Sequence, residues 1–145
     1  MSLPPLAEIL PHAPPMILLD ELLEFTPGRV RCAVRLRPDS PLVEGGKVRA
    51  LVCVEYMAQA VAAYAGMVSR AAGQPPRIGF LLGTRELRLG TSFLHEGDAL
   101  TVDVEHVFGD DRIGSFRCRV LRGEEKVAEA TLSVYQQGSD GALPP

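Results

Sequence analysis

Residues 29–37 alternate strictly. Val30, Cys32, Val34 and Leu36 fall on one side, and Arg29, Arg31, Arg35 and Arg37 on the other. A period of two predicts a strand with one face on a core. The same pattern returns late in the chain, where Leu100, Val102 and Val104 alternate with Thr101, Asp103 and Glu105. Phe116, Cys118 and Val120 continue it, followed by Ala128, Ala130, Leu132 and Val134. Thr26-Pro27-Gly28, Glu96-Gly97-Asp98, Gly109-Asp110-Asp111 and Gly123 supply the turns between these segments. Two further strands are predicted with less regular patterns. Residues 16–25 are apolar with Asp20, Glu21 and Glu24 interspersed. Residues 77–89 open with Ile78, Phe80, Leu81 and Leu82, a continuous apolar run that predicts burial on both faces. Near the N-terminus, prolines bracket a short apolar piece, residues 6–10, read as one or two helical turns ended by Pro11.

The middle of the chain departs from this period. Between Ala50 and Val68 the stretch is rich in Ala, Leu and Met, lacks proline, and carries one charged residue, Glu55. It predicts a helix over residues 50–72, closed by Gly73 and barred from continuing by Pro75 and Pro76. Such a helix is about 35 Å long. Being apolar on every face, it must be surrounded by protein. The expected architecture is α+β, a long central helix wrapped by a curved antiparallel sheet. One such layer leaves part of the helix open, so a second copy is expected to complete the burial, with the apolar strand at 78–82 as the dimer contact. Glu55 is then the costliest residue to place. A carboxylate in apolar surroundings loses its charge, finds a partner, or faces a cavity. Gln59, one turn further on, shares its face. The pair is either a structural polar network or the polar wall of a site.

Composition narrows the function classes. The 145 residues suit one domain, residues 1–136, followed by a polar tail at 137–145. With 46% hydrophobic and 23% charged residues, the chain reads as an ordinary globular protein. A net charge of −3 and the lack of a basic aromatic module argue against nucleic-acid binding. Glu55 and Gln59 make a core helix a better reading of the central stretch than a membrane span. No basic region followed by an apolar run opens the chain, so a cytoplasmic location is expected. Cys32, Cys53 and Cys118 are odd in number and widely spaced, which fits reduced core thiols and gives no metal site.

Particular residues carry a family resemblance. Ile9-Leu10-Pro11-His12, followed by Pro15-Met16 and Leu18-Leu19-Asp20, resembles the opening of the β-hydroxyacyl-acyl-carrier-protein dehydratases, which have the hotdog fold. Val54-Glu55-Tyr56-Met57-Ala58-Gln59-Ala60 resembles their Glu-x-x-Ala-Gln helix signature. Phe80-Leu81-Leu82-Gly83 extends the likeness, as does Glu96-Gly97-Asp98 where that family has Pro-Gly-Asp. The set looks most like the dehydratase-like hotdog proteins of aryl-polyene biosynthetic clusters. One segment departs. The housekeeping dehydratases carry Gly-His-Phe-Pro-Gly before the helix, with a catalytic histidine, whereas residues 43–49 here contain none.

The resemblance implies water elimination from a 3-hydroxyacyl thioester on acyl carrier protein, without metal or organic cofactor. Glu55 matches the family's catalytic carboxylate, and a neutral form suits an acid that protonates the leaving hydroxyl. His12 is the candidate base, or else a structural residue of the Pro-His kink. His106 continues an apolar strand face and His95 adjoins a turn, so both read as non-catalytic. Backbone N–H groups of Ala50, Leu51 and Val52 in the first helical turn are candidates to polarise the thioester carbonyl. Gln59, Phe80 and Gly83 are candidate substrate contacts, with the stripe Ala58, Ala62, Ala63 and Gly66 as either an acyl channel or close packing. The arginines at 29, 31, 35 and 37, with Lys47 and Arg49, are either a carrier-docking surface or a solvated strand face. Two other functions stay open. One is a thioesterase in which Glu55 activates water, and the other is a subunit lacking its base that supports an active partner in a hotdog heterodimer.

Overall fold

The computed structural model describes residues 3–12, 16–75, 79–109 and 112–136. The elements run α1 (Leu6–Ile9), β1 (Glu21–Thr26), β2 (Arg29–Arg35), β3 (Lys47–Arg49), α2 (Cys53–Ala71), β4 (Gly79–Leu89), β5 (Phe93–His95), β6 (Ala99–Gly109), β7 (Ile113–Arg122) and β8 (Glu125–Gln136). A 3-10 turn, Ala50–Val52, leads into α2. Six strands form one antiparallel sheet in the order β1-β2-β6-β7-β8-β4, while β3 and β5 pair separately.

The alternating segments make the inner face of this sheet. Val30 pairs with Val104, Cys32 with Val102 and Val34 with Leu100. Val102 pairs with Val120, and Val104 with Cys118. Cys118 pairs with Ala130, and Val120 with Ala128. All of these are buried, and α2 packs across them through Tyr56, Met57, Ala60 and Ala63. Burial pushes the thiols of Cys32, Cys53 and Cys118 up to about 12, so they act as small apolar groups.

The end of α2 is a Schellman motif. Gly73, with φ of +72°, lets its N–H reach the Arg70 carbonyl, while the Gln74 N–H reaches that of Ser69. Gly66 has a different reason to be glycine. A Cβ there would fall 2.0 Å from the Ile9 carbonyl oxygen, so the bare backbone is what lets α1 lie against α2. Gly66→Ala is expected to cost about 1–3 kcal/mol by displacing α1. A fall in the urea midpoint checks it; an unchanged midpoint means that α1 carries no stability.

On the outer face, Asp103 from β6 is buried beneath three arginines. Arg29 Nη2 and Arg119 Nη2 lie 2.7 and 2.8 Å from its Oδ2, with Arg31 at 3.9 Å. Burial alone would raise the Asp103 carboxyl, but the hydrogen bonds from Arg29 and Arg119 outweigh it and hold the group below its ordinary value. A depressed carboxylate stabilises the fold above its unfolded pKa of about 3.9 and loses that contribution as pH falls below it. With the arginines half in solvent, Asp103→Asn is expected to cost about 1–2 kcal/mol at neutral pH. The gap between variant and parent in urea unfolding should narrow as pH falls below about 3.9.

Several expectations change here. Residues 16–20 join no strand, and β3 and β5 are short strands that the pattern did not reveal. In the single chain the strand at 79–89 is not covered on both faces. It is the sheet edge, with Phe80, Leu81, Leu82 and Leu89 exposed in the single chain. The arginine stripe is largely engaged, with Arg29 and Arg31 turned to Asp103, Arg37 paired with Asp20, and Lys47 over the Phe93 ring. Pro14, Pro15, Pro76, Ile78, the turn at 110–111 and the tail at 137–145 lie outside the described residues.

Candidate active site

The sheet covers one side of α2 and leaves a stripe of the other open. Leu51 is 58% exposed, Glu55 is exposed, and Ala58, Ala62 and Ala65 are half-buried along the same line. In the single chain Glu55 is not sealed in apolar protein, because the flanking apolar residues face away from it into the sheet. It opens instead into a cavity of about 230 Å³ between α2 and strands β4, β7 and β8. His12 lines the same cavity.

Local structure explains why these two residues meet. Gln59, one turn after Glu55, is buried and grips the chain that follows His12. Its side-chain oxygen accepts the Leu18 N–H at 2.9 Å, and its NH₂ group donates to the Met16 carbonyl at 2.7 Å. Further along, Ile9 seats against Gly66. The segment bearing His12 is thus held at two points on the helix. Its imidazole is half-buried, and its Nδ1 is shielded from solvent with no hydrogen-bond partner among the described residues. A buried, unsatisfied ring nitrogen is uncommon and costly, and a ligand that supplies a partner would relieve it. Among the described residues Glu55 makes no ion pair and no side-chain hydrogen bond, so its oxygens are available to a guest.

With that geometry in place, comparison with known proteins is informative. The model of the ApeP-like dehydratases (ApeP dehydratase) matches residues 4–142. The chain belongs to the ApeP-like dehydratase family. A 3-hydroxyacyl-[acyl-carrier-protein] dehydratase, FabZ, of Symbiobacterium thermophilum is 32% identical over 131 residues, covering 86% of this chain and 89% of that protein. The dehydratase heterocomplex ApeI:P from Xenorhabdus doucetiae superposes with a TM-score of 0.91 at 25% identity, over 97% of this chain and 95% of that one. The architecture is the hotdog fold. A hypothetical thioesterase from Streptococcus pneumoniae, solved with coenzyme A, shares that fold alone, at 16% identity and a TM-score of 0.63 over 81% of this chain and 85% of that one.

Within this family frame, the residues singled out from sequence sort as follows. His12, Glu55, Gln59, Ala58 and Ala62 all line the cavity. Gln59, taken as a substrate contact, has its oxygen and an N–H engaged with backbone, so it acts first as a clamp. Phe80 does not line the cavity; it lies against Tyr135, with ring centroids 6.4 Å apart. Its neighbours Gly79 and Leu81 face the cavity in its place, as strand alternation requires, and Gly83 lies outside the lining. Ala50, Leu51 and Val52 are not in the lining either. The Ala50 N–H is taken by the Ser92 carbonyl at 2.9 Å, and the Cys53 N–H by the Ala50 and Leu51 carbonyls. Of the small-residue stripe, Ala63 and Gly66 are close packing rather than channel. His106 stacks with Tyr64 and Phe116, and His95 lies exposed on β5, neither of them in the lining. Sequence reasoning missed the opposite wall, where Gly114, Phe116 and Val134 come from β7 and β8 and Arg112 adds a cation. The first three look like ordinary core positions of a strand.

Proposed function

We propose that this chain dehydrates 3-hydroxyacyl thioesters carried on acyl carrier protein, giving trans-2-enoyl thioesters in fatty-acid or aryl-polyene type biosynthesis. The observation that carries the reading is the cavity shared by Glu55 and His12, with neither the His12 Nδ1 nor the Glu55 carboxyl partnered among the described residues. The His12 imidazole takes the proton next to the thioester carbonyl while the Glu55 carboxyl gives one to the β-hydroxyl. The C–H and C–O bonds break, a C=C bond forms, and water leaves. The imidazolium then returns its proton, through solvent, to the carboxylate.

The working assembly in this reading is a hotdog dimer. Two open apolar features of the single chain support it: the edge strand β4, with Phe80, Leu81 and Leu82, and the uncovered stripe of α2. An exposed apolar edge strand invites pairing. The partner is a second copy or a related hotdog chain, and the likeness to the ApeI:P heterocomplex supports the latter. A cytoplasmic location fits the three reduced, buried thiols.

The test is a product assay on the purified chain, alone and with a hotdog partner, offered a 3-hydroxyacyl carrier thioester and an acyl-CoA. Enoyl thioester supports the proposal. Free thiol from either substrate, without enoyl product, makes the chain a thioesterase. Silence of the chain alone and no contribution from Glu55 in the mixed assembly would make it a supporting subunit.

A further inference from the structure

The cavity runs along the helix and meets an aromatic wall. Its α2 lining passes from Glu55 through Ala58 and Ala62 to Ala65, roughly 15 Å along the axis at 1.5 Å per residue. Phe116 lines the same cavity, and its ring centroid lies 5.8 Å from that of Tyr64. Tyr64 adjoins Ala65, so Phe116 stands at the end remote from Glu55. Behind it the rings are braced. Tyr64 accepts the Gly28 N–H at 3.0 Å through its hydroxyl and packs on Phe25, and His106 lies 5.0 Å from Phe116 and 6.0 Å from Tyr64. A ring packed this way has little room to retreat before an incoming chain. Gly114 also lines the cavity, and a Cβ there would fall 2.7 Å from the edge of the Phe116 ring. The ring therefore occupies space that any other residue at 114 would contest.

We propose that Phe116, braced by Tyr64 and His106 and admitted by the bare backbone of Gly114, ends the acyl groove and sets the longest chain that it accepts. The inference rests on the acyl-thioester reading above and adds a specificity determinant to it. Each methylene that finds apolar wall adds about fourfold to affinity. A methylene that meets the ring adds nothing.

Calorimetric binding of a graded series of acyl-pantetheine amides, which cannot react, reads the limit without relying on turnover. For the parent chain, affinity should climb with chain length and then stop. In Phe116→Ala the climb should continue to longer chains. Phe116→Leu should extend it less, and serves if the alanine variant does not fold. Gly114→Ala should move the limit to shorter chains. The same limit in folded Phe116→Leu and Gly114→Ala as in the parent overturns the inference while leaving the functional reading intact. A parent chain that binds none of the series overturns that reading, and this inference with it.

Discussion

Glu55→Gln should lower the rate of enoyl formation by about 10²–10⁴-fold without changing the stability of the chain. The amide keeps the size of the side chain but has no proton to give to a leaving hydroxyl. Stability should hold because Glu55 is exposed in the chain and makes no ion pair among the described residues, so nothing in the fold depends on its charge. Single-turnover assay of the carrier-bound 3-hydroxyacyl substrate, paired with a melting curve, checks both halves. A variant with full turnover removes Glu55 from the chemistry. One that melts well below the parent would mean that the carboxyl is structural.

The second large effect is expected from His12→Ala. If the imidazole takes the α-proton, turnover falls by a similar factor. The structural alternative, that His12 holds the Pro-His kink, makes a different forecast. A structural histidine would lose hydrogen bonds on truncation and lower the melting temperature. Here Nδ1 is buried without a partner among the described residues, and removing an unsatisfied buried nitrogen relieves a cost of about 1–3 kcal/mol. His12→Ala should thus be at least as stable as the parent while nearly inactive. The double variant with Glu55→Gln should be little worse than the weaker single one, since acid and base act on one elimination. Loss of stability with retained turnover would return His12 to the kink and send the search for a base to a partner subunit.

What the chain disclosed in advance follows from where its physics is local. The alternation of Val30, Cys32 and Val34, and its counterparts on β6, β7 and β8, fixed the inner sheet face because each strand has one solvated side. β3 and β5 escaped because three residues are too few to show a period. The apolar run around Phe80–Leu82 carries no phase, so it revealed neither that β4 is an edge nor that Leu81, not Phe80, faces the cavity. Gly66 was ambiguous in sequence because a missing side chain serves a channel and a close backbone contact equally well; only the position of the Ile9 carbonyl decides. Glu55 was legible as exceptional, but the face it takes was not. Composition reports how apolar a helix is, not which of its faces a single sheet leaves uncovered. The pairing of His12 with Glu55 was open for the same reason: it depends on Gln59 gripping Met16 and Leu18 across more than 40 positions of sequence.

The most direct test of the account is a crystal structure of the chain, in its functional assembly, with a 3-hydroxyacyl-pantetheine amide bound. The account predicts that the β-hydroxyl lies at hydrogen-bond distance from Glu55, the α-carbon faces His12, and the chain runs along Ala58 and Ala62 toward Phe116. A ligand seated elsewhere, such as the cleft beside Tyr56, Arg35 and Arg37, with the cavity between His12 and Glu55 empty, would contradict it.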